Sequence, residues 1–383
     1  MPTVVVSSYN VASFPEGGGH FWVYMQYLQA LRMAGCDVWW IEQFDPGASP
    51  DAGRSQAATF FQRAHAFGFE GKALLYAPDG DGTMRVWPDG GTRLVENALK
   101  RADLLLNFHY AIDPRLLAIP KRTALVDIDP GLLQCWIEAG QLTVSPHDVY
   151  FTIGEMVSGS VGPTAAANVD WIHLYPPICL DHWPRCSDST CEAFTTVSGW
   201  SADTWMPVME DGRQVLRENT KRVSFLEFVD LPRRTAQVME LALDLAETDL
   251  EERRLLERRG WRVRHARDVA GSPERYRAYI QRSRGEFSCA KPFYVRLQSA
   301  WVSDRTLCYL ASGKPVVVQH TGPSAYLPHG EGMFRFTSMA EATEAIETIN
   351  DDYERHCRAA RDIAETYFDS DQVAERILGA ALT

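Results

Sequence analysis

The 383-residue sequence lacks several features that would assign it to a class of protein at once. No apolar run approaches the roughly 18 residues of a membrane-spanning helix, and the N-terminus has no charged region followed by a long apolar stretch. Acidic residues outnumber basic ones, 50 against 38, and the net charge of −12 argues against a nucleic-acid-binding surface. We therefore expect a cytoplasmic protein with no nucleic-acid partner and no membrane span; a homodimer is compatible with the sequence.

Two further signatures are missing. The eight cysteines show no CxxC and no Cys/His ligand spacing, and only Cys186 and Cys191 lie close together, so we expect reduced, mostly buried thiols. The spaced glycine fingerprint GxGxxG is also absent, and Glu42 is only a weak candidate for the acid that binds a dinucleotide ribose. Dinucleotide binding is therefore disfavoured.

What is present is an alternation of short β-branched runs and helical patterns, typical of parallel α/β sheets. Three prolines and short polar turns at 176–192 read as a linker between two such series. The first series predicts strands at 3–8, 36–42, 102–107, 122–127, 148–153 and 170–174, with a helix over 20–33 and a surface excursion over 76–92. The second predicts strands at 194–197, 223–226, 261–265, 285–288 and 315–319, with a solvated helix over 247–259 and a mostly helical end after Ser338. We predict an α/β fold of two doubly wound, Rossmann-like domains.

Three glycines, Gly17, Gly18 and Gly19, separate the first predicted strand from a helix that we expect to open at His20. In doubly wound folds, ligands sit outside the carboxyl ends of the strands, near helix N-termini. Glycines at this place let the backbone approach a ligand, although a loop without a function is an alternative.

Four stretches of the chain together resemble the GT-B glycosyltransferases, in particular family-four-type members. Residues 17–40 are similar to their N-terminal glycine loop and first helix, and 311–318 (ASGKPVVV) to their ACGTPVV. Residues 321–334 resemble GGxxEL…GxxGLLF, and the final helices resemble the tail that crosses back to the first domain.

The resemblance implies two domains that face each other across a cleft. It implies an acceptor-binding domain at 1–180, a nucleotide-sugar-binding domain at 181–360, and a C-terminal helix at 361–383 that packs back on the first domain. The implied activity is transfer of a hexosyl or deoxyhexosyl group from a nucleoside-diphosphate sugar to a hydroxyl of a small natural-product or saccharide acceptor. The nucleotide sugar is then a substrate, and no metal or other cofactor is expected.

Donor contacts are expected in the second domain, where a carboxylate, hydroxyls and cations follow predicted strands. The acidic residue of the family's EGFG motif maps to Glu286. Glu286 or Asp304 is expected to accept hydrogen bonds from the ribose hydroxyls, and Arg305 is expected to bind a phosphate bidentately. At the position of the family's second acidic residue this sequence has Cys308. The family's Arg and Lys, which follow the first strand of the second domain, have no clear counterpart here, and Lys221 and Arg222 are the candidates to replace them. The predicted donor-binding residues are Gly199, Glu286, Ser288, Lys291, Ser303, Asp304, Arg305, Thr321, Gly322 and Pro323.

Three residues of the first domain are candidates for the chemistry itself. His20 follows the glycine loop, where inverting members place a base, and His109 follows a strand, where retaining members place a histidine. Imidazole suits proton transfer near neutral pH. Asp129, with Asp127 two residues before it, is a candidate for orienting His20, binding acceptor hydroxyls or holding a metal ion, or it simply makes a turn. The sequence leaves the choice of histidine and the stereochemical class open.

Two other functions are compatible with the same fold. A nucleotide-sugar 2-epimerase should carry several carboxylates in its cleft, and Asp127, Asp129, Glu155 and Glu286 are candidates. A non-catalytic protein that has kept the fold and binds a nucleotide sugar is the third possibility.

Overall fold

The computed structural model describes the whole chain except residues 48, 79–83, 89–92, 158–168, 187–189, 203 and 211–212. The described residues form two compact units. Unit 1 consists of Met1–Cys179 together with Ser370–Thr383, and unit 2 of Leu180–Asp369.

Unit 1 is built on one eight-stranded sheet with the order β4-β3-β2-β1-β5-β6-β7-β8. All neighbouring strands are parallel except β3 and β4, which form an antiparallel pair at the edge. The strands are β1 (Thr3–Ser8), β2 (Asp37–Gln43), β3 (Ala73–Pro78), β4 (Met84–Trp87), β5 (Leu104–Asn107), β6 (Thr123–Asp127), β7 (Val149–Thr152) and β8 (Trp171–His173). The helices before the linker are α1 (Gly18–Met33), α2 (Pro50–Ala66), α3 (Arg93–Arg101), α4 (Pro114–Leu117) and α5 (Leu132–Glu138).

Unit 2 contains a six-stranded, fully parallel sheet with the order β13-β12-β9-β14-β15-β16 and a separate antiparallel hairpin, β10–β11. The strands are β9 (Ala193–Gly199), β10 (Trp205–Glu210), β11 (Arg213–Glu218), β12 (Val238–Asp244), β13 (Arg262–His265), β14 (Gly285–Ser288), β15 (Val316–Gln319) and β16 (Met333–Phe336). The helices are α6 (Lys221–Glu227), α7 (Leu250–Arg258), α8 (Ala266–Ala270), α9 (Pro273–Gln281), α10 (Pro292–Leu297), α11 (Asp304–Ala311), α12 (Met339–Asp351) and α13 (Tyr353–Tyr367). Two short 3-10 helices cover Leu231–Arg233 and Glu247–Asp249.

The last helix, α14 (Ser370–Ala381), belongs to unit 1 and packs along α1. Ser370 N–H donates to the carbonyl of Ile178, and Arg122 Nε donates to the carbonyl of Ala381 at 3.2 Å. Because the sheet lies on one side of α1 and α14 on another, most of α1 is buried. Such a helix carries apolar residues around much of its circumference rather than on one stripe.

The predicted fold class is confirmed, since both units are doubly wound parallel sheets with helices between the strands. One predicted strand is wrong: residues 223–226 lie in helix α6, and the strand of that region is β12. Alanine, leucine and glutamate give β12 a helix-favouring composition, but the central position between β13 and β9 imposes a strand. The predicted excursion at 76–92 includes the edge pair β3–β4, and its remaining residues 79–83 and 89–92 lie outside the described residues.

Within the described part of the chain, no helix combines the length and the apolar character needed to cross a membrane. All eight cysteines are free, and six of them are buried, as expected from their spacing.

Candidate active site

Helix α1 begins at Gly18, two residues before the predicted start, so its first turn contains Gly18, Gly19 and His20. Gly17 is the N-cap, and its amide donates to the carbonyl of Phe14 at 2.9 Å. A Cβ atom at Gly17 would lie 2.3 Å from Cδ1 of Phe14, so any other residue would displace that ring. Contact with Phe14 is thus one reason for the glycine at 17; the approach of substrate to Gly18 and Gly19 stays a prediction.

His20 is half-buried at the start of α1 and is held by the loop that follows β1. Its Nε2 lies 2.8 Å from the carbonyl oxygen of Tyr9. Burial lowers the pKa of His20, while the Tyr9 carbonyl and the charge of Asp129 partly raise it again. The imidazole is therefore neutral at neutral pH, the form in which it can accept a proton.

His109 lies directly after β5 and is 8% exposed. Its ring stacks on Tyr9 with centroids 5.0 Å apart. Burial lowers the pKa of His109 to about 4. Its Nδ1 is enclosed and has no hydrogen-bond partner in the part of the chain that the structure describes, so Nε2 is the nitrogen that a ligand can reach.

Asp127 and Asp129 follow β6 and serve different purposes. Asp127 is fully buried; its Oδ1 accepts the Asp129 amide at 2.9 Å, and its Oδ2 accepts from Gln134 and Thr152 at 3.1 Å each. Burial raises the pKa of Asp127 to about 7. The Tyr110 hydroxyl lies 3.3 Å from Asp127 Oδ1 and 3.4 Å from Asp129 Oδ2. Asp127 therefore builds the turn, whereas Asp129 is the carboxylate whose charge acts on His20.

A cavity of about 430 Å³ opens in unit 1 beside these groups. Most of its lining is aromatic or aliphatic, with His109, Asp129 and Gln141 as the polar members apart from tyrosine hydroxyls. The lining residues are Tyr9, Tyr24, Phe108, His109, Tyr110, Ala111, Ile128, Asp129, Trp136, Gln141 and Leu142. The three predicted catalytic residues thus meet in one place: His109 and Asp129 line the cavity, and His20 is bonded to Tyr9, which also lines it.

In unit 2, Glu286 and Arg305 form a buried ion pair. Arg305 Nε donates to Glu286 Oε1 at 2.7 Å, and its Nη1 donates to the carbonyl of Val197 at 3.0 Å. Glu286 is fully buried within β14 rather than on a loop, and its Oε2 has no hydrogen-bond partner among the described residues. The contacts of these two residues with ribose and phosphate stay predictions. In the structure each of the two side chains is the ion-pair partner of the other.

Two lysines share this neighbourhood. The pKa of Lys221 is well below its ordinary value, because it is desolvated and because Arg305 and Lys291 carry like charges nearby, while Glu286 acts in the opposite direction. Its Nζ lies 5.9 Å from the centroid of the Trp301 ring. Among the described residues, neither Lys221 nor Lys291 has a carboxylate within ion-pair distance. Arg222 points elsewhere and pairs with Glu218 and Glu252.

The remaining predicted donor-binding residues lie at the same edge of the sheet, where β9, β14 and β15 end. Gly199 closes β9, and a Cβ there would meet nothing within 4 Å, so the protein itself does not require a glycine. Ser288 ends β14, Ser303 is the N-cap of α11, and Asp304 is its first residue.

The loop after β15 is fixed to the loop before α11. Thr321 Oγ1 donates to the Trp301 carbonyl at 2.6 Å, and the Ala300 amide donates to the Thr321 carbonyl at 2.9 Å. Gly322 has φ +130°, and a Cβ would lie 2.4 Å from the Gln298 carbonyl oxygen, so both its conformation and its packing require glycine. Pro323 follows on the exposed side.

The carboxylates proposed for an epimerase are divided between the two units. Asp127, Asp129 and Glu155 belong to unit 1 and Glu286 to unit 2. Glu155 Oε2 accepts from the Tyr175 hydroxyl at 3.1 Å. In the part of the chain that the structure describes, no group of three or more His, Cys, Asp or Glu side chains is arranged to hold a metal ion. Metal independence stays a prediction.

The sequence did not single out Tyr9, whose backbone holds His20 and whose ring covers His109. Its position directly after β1, at the edge where ligands bind in such folds, was the available signal. The sequence indicates Lys221 only as a substitute for the family's missing cations, because the β10–β11 hairpin separates it in sequence from β9.

No protein-family model and no curated protein matches the sequence. Solved structures do match over nearly the full length. Anabaena Alr3699/HepE, solved in complex with UDP-glucose, is 12% identical, with 99% of each chain covered and a TM-score of 0.62. AviGT4, a glycosyltransferase involved in avilamycin A biosynthesis, is 14% identical, with 99% of this chain and 97% of that chain covered and a TM-score of 0.57. Sucrose-phosphate synthase from Thermosynechococcus elongatus is 11% identical, with coverage of 99% and 98% and a TM-score of 0.56. The chain therefore has the GT-B fold of glycosyltransferases, as its motifs had indicated.

Proposed function

We propose that the protein is a glycosyltransferase that moves a sugar from a nucleoside-diphosphate sugar to a hydroxyl of a small acceptor. The observation that carries this proposal is a group of three cationic side chains in unit 2: Arg305 pairs with Glu286 of β14, and the charges of Arg305 and Lys291 act on Lys221. In this proposal unit 2 binds the donor and unit 1 the acceptor, and the transferred group is a hexosyl or deoxyhexosyl residue.

The charge count of the cluster favours a diphosphate. Arg305 is neutralised by Glu286, which leaves two lysines without an anionic partner among the described residues. Desolvating an ammonium group is costly unless an anion approaches it, and ammonium–phosphate contacts are among the stronger hydrogen bonds in proteins. A nucleoside diphosphate supplies that anion, and the lysines neutralise the charge of its phosphates, as a divalent metal ion does in other enzymes. The open space in front of Gly199 is consistent with a ligand that comes close to the backbone.

The unit 1 groups suit the other half of the reaction. A neutral imidazole, from His20 or His109, can accept the proton of an acceptor hydroxyl, and Asp129 stabilises the imidazolium that forms on His20. The acceptor lies in the unit 1 cavity in this proposal. HepE is a structural neighbour solved with UDP-glucose, so uridine diphosphate is the first nucleotide to test.

The test is a thermal-shift panel with uridine, thymidine, guanosine, adenosine and cytidine diphosphates. A ligand at 100 times its dissociation constant stabilises the protein by about 2.7 kcal/mol, enough to raise Tm by a few degrees. We expect one nucleotide to shift the wild type and Lys100→Met, an exposed lysine of unit 1, while Lys221→Met loses the shift. Equal shifts in both variants would remove Lys221 from the donor site, and no shift with any nucleotide in the wild type would contradict donor binding.

A second assay separates transfer from epimerisation. The protein is incubated with sugar derivatives of the nucleoside diphosphate that binds, with and without acceptors, and the products are followed by NMR. Release of nucleoside diphosphate that depends on acceptor supports transfer. An isomerised nucleotide sugar formed without acceptor would instead establish the epimerase, and no product of either kind would favour a protein that only binds.

A further inference from the structure

The unit 1 cavity has walls made largely of aromatic rings. Five of its lining side chains carry benzenoid or indole rings: Tyr9, Tyr24, Phe108, Tyr110 and Trp136. They belong to different segments, the loop after β1, helix α1, the loop after β5 and helix α5. The cavity volume of about 430 Å³ lies in the range of small-molecule pockets and exceeds what a single hexose fills.

The rings support each other and hold the cavity open. Tyr9 stacks on His109 with centroids 5.0 Å apart, and Tyr24 meets Phe108 edge to face at 5.4 Å. His20 in turn contacts Tyr24 edge to face at 5.3 Å. Aromatic pairs of this kind are stabilising and restrict ring rotation, so the rings of the wall keep a fixed orientation.

The lining is mainly apolar, and its polar side chains are His109, Asp129, Gln141 and the tyrosines. Asp129 Oδ2 lies 3.4 Å from the Tyr110 hydroxyl, and the enclosed nitrogen of His109 cannot be reached. A hexose would bring several hydroxyls, and each one that is buried without a hydrogen-bond partner weakens binding. A planar ligand with one or two hydroxyls loses little there, because its faces lie on rings and its hydroxyl meets His109 and Asp129.

We propose that this cavity binds a planar aromatic acceptor and that a hydroxyl on its ring system receives the sugar. The proposal rests on the proposed glycosyl transfer and adds the acceptor class to it. In the reaction, the acceptor oxygen forms a bond to the anomeric carbon, and the bond from that carbon to the diphosphate oxygen breaks, its electron pair remaining on the leaving nucleotide. The hydroxyl proton passes to a neutral histidine of unit 1, either His20 or His109.

The binding test uses the full chain and isothermal titration calorimetry with umbelliferone and 2-naphthol as aromatic probes and methyl glucoside and maltose as saccharide probes. We expect the aromatic probes to bind and the saccharides not to compete. Tyr9→Ala should weaken binding of the aromatic probes about tenfold, since it removes one ring face from a side chain that is already 52% exposed and leaves the core intact. Trp205→Ala, an exposed tryptophan of unit 2, is the matched control and should bind as the wild type does.

Independent outcomes separate this inference from the proposed function. Aromatic binding that Tyr9→Ala weakens, with formation of an aryl glycoside when donor is added, supports both. A nucleotide shift without aromatic binding, or saccharides that bind in its place, would overturn the acceptor class and leave the transferase intact. Aromatic binding in a protein that no nucleoside diphosphate stabilises would remove the acceptor role. Unchanged affinity in Tyr9→Ala would place the probe outside this cavity and overturn the inference.

Discussion

The Nε2 atom of His20 lies 2.8 Å from the carbonyl oxygen of Tyr9, and this contact fixes the tautomer of the imidazole. A carbonyl oxygen only accepts hydrogen bonds, so Nε2 must carry the proton and donate it. In the neutral ring Nδ1 then keeps the basic lone pair. The loop after β1 thus sets the orientation of the His20 ring, as the proposed role of a base requires.

His20→Ala is expected to lower turnover about 100-fold or more, because the group that takes the acceptor proton is lost. The affinity for the nucleotide should stay unchanged, since the donor contacts are proposed for unit 2. Because the pKa of His20 in the free protein lies below its ordinary 6.5, the acidic limb of the kcat/KM profile should also lie below pH 6.5. Steady-state kinetics and calorimetry check both statements, with the exposed His65→Ala as control.

A result in which His20→Ala loses nucleotide binding and turnover together would contradict the role of a base. Full activity in this variant, with loss in His109→Ala, would transfer the role to His109.

Arg305→Met is expected to lower the free energy of unfolding by about 3–5 kcal/mol, because it leaves the carboxylate of Glu286 buried without its ion-pair partner. The double variant Glu286→Leu with Arg305→Met removes both charges and should recover most of that loss. Calorimetric unfolding of the three proteins measures the coupling. A single variant as stable as the wild type but with weakened nucleotide binding would show that Arg305 acts on phosphate and contributes little to the fold.

Nucleotide affinity should fall as the pH rises, because of Lys221. In the free protein, burial and the charges of Arg305 and Lys291 lower the pKa of Lys221, and a bound diphosphate would raise it. Below the free-protein pKa the lysine is already charged and affinity is complete; above it, binding must take up a proton and weakens. Titrations between about pH 8 and 9.5, where the diphosphate itself is fully ionised, should show proton uptake in buffers of different ionisation enthalpy.

Lys221→Arg provides the control for this effect, since a guanidinium stays protonated throughout that range. Its affinity should be nearly independent of pH. Binding to the wild type without proton uptake at any pH would contradict a contact between the nucleotide and Lys221.

Glu42→Gln should reduce the pH dependence of stability. Glu42 is fully buried, accepts the Ala12 amide at 2.6 Å and is bonded to Ser8 Oγ at 2.5 Å; burial raises its pKa to about 7. Because the pKa is higher in the folded state than in the unfolded chain, the stability this group contributes is present at low pH and is lost as the pH rises through about 7. Glutamine copies the protonated form and cannot ionise.

The difference in Tm between pH 6 and pH 8.5 should therefore be smaller in Glu42→Gln than in the wild type, and the variant should be the more stable protein at pH 8.5. An unchanged profile would show that Glu42 does not titrate in this range. Glu96→Gln, on the surface of α3, is the matched control.

The ends of the strands were predictable from the sequence because buried parallel strands are short, β-branched and followed by polar residues. That is how His109, Asp127 and Asp129 were found at one edge of the sheet. The Glu286–Arg305 pair was not predictable: the two residues lie in different elements, and only the packing of α11 against β14 brings them together. From the sequence alone, a buried glutamate within a strand cannot be distinguished from a glutamate at the end of that strand.

Lys221 illustrates a second limit. The β10–β11 hairpin inserts between the end of β9 and this lysine, so the spacing of the motif is lost although the side chain joins the cation group. Composition misled in the same region, where β12 carries residues that favour helices. In both cases the information lies in contacts between segments that are distant along the chain.

The helix α14 lies beside α1 in unit 1 although all of unit 2 is translated between them. During synthesis α1 is made before unit 2 and α14 after it, so we expect the folding of unit 1 to finish only once α14 has been made. A fragment ending at Cys179 would lack α14, and we expect it to aggregate or to recruit a chaperone. Adding Ser370–Thr383 as a separate peptide should restore the folding of this fragment, so that the assembly of unit 1 could be started by adding the peptide.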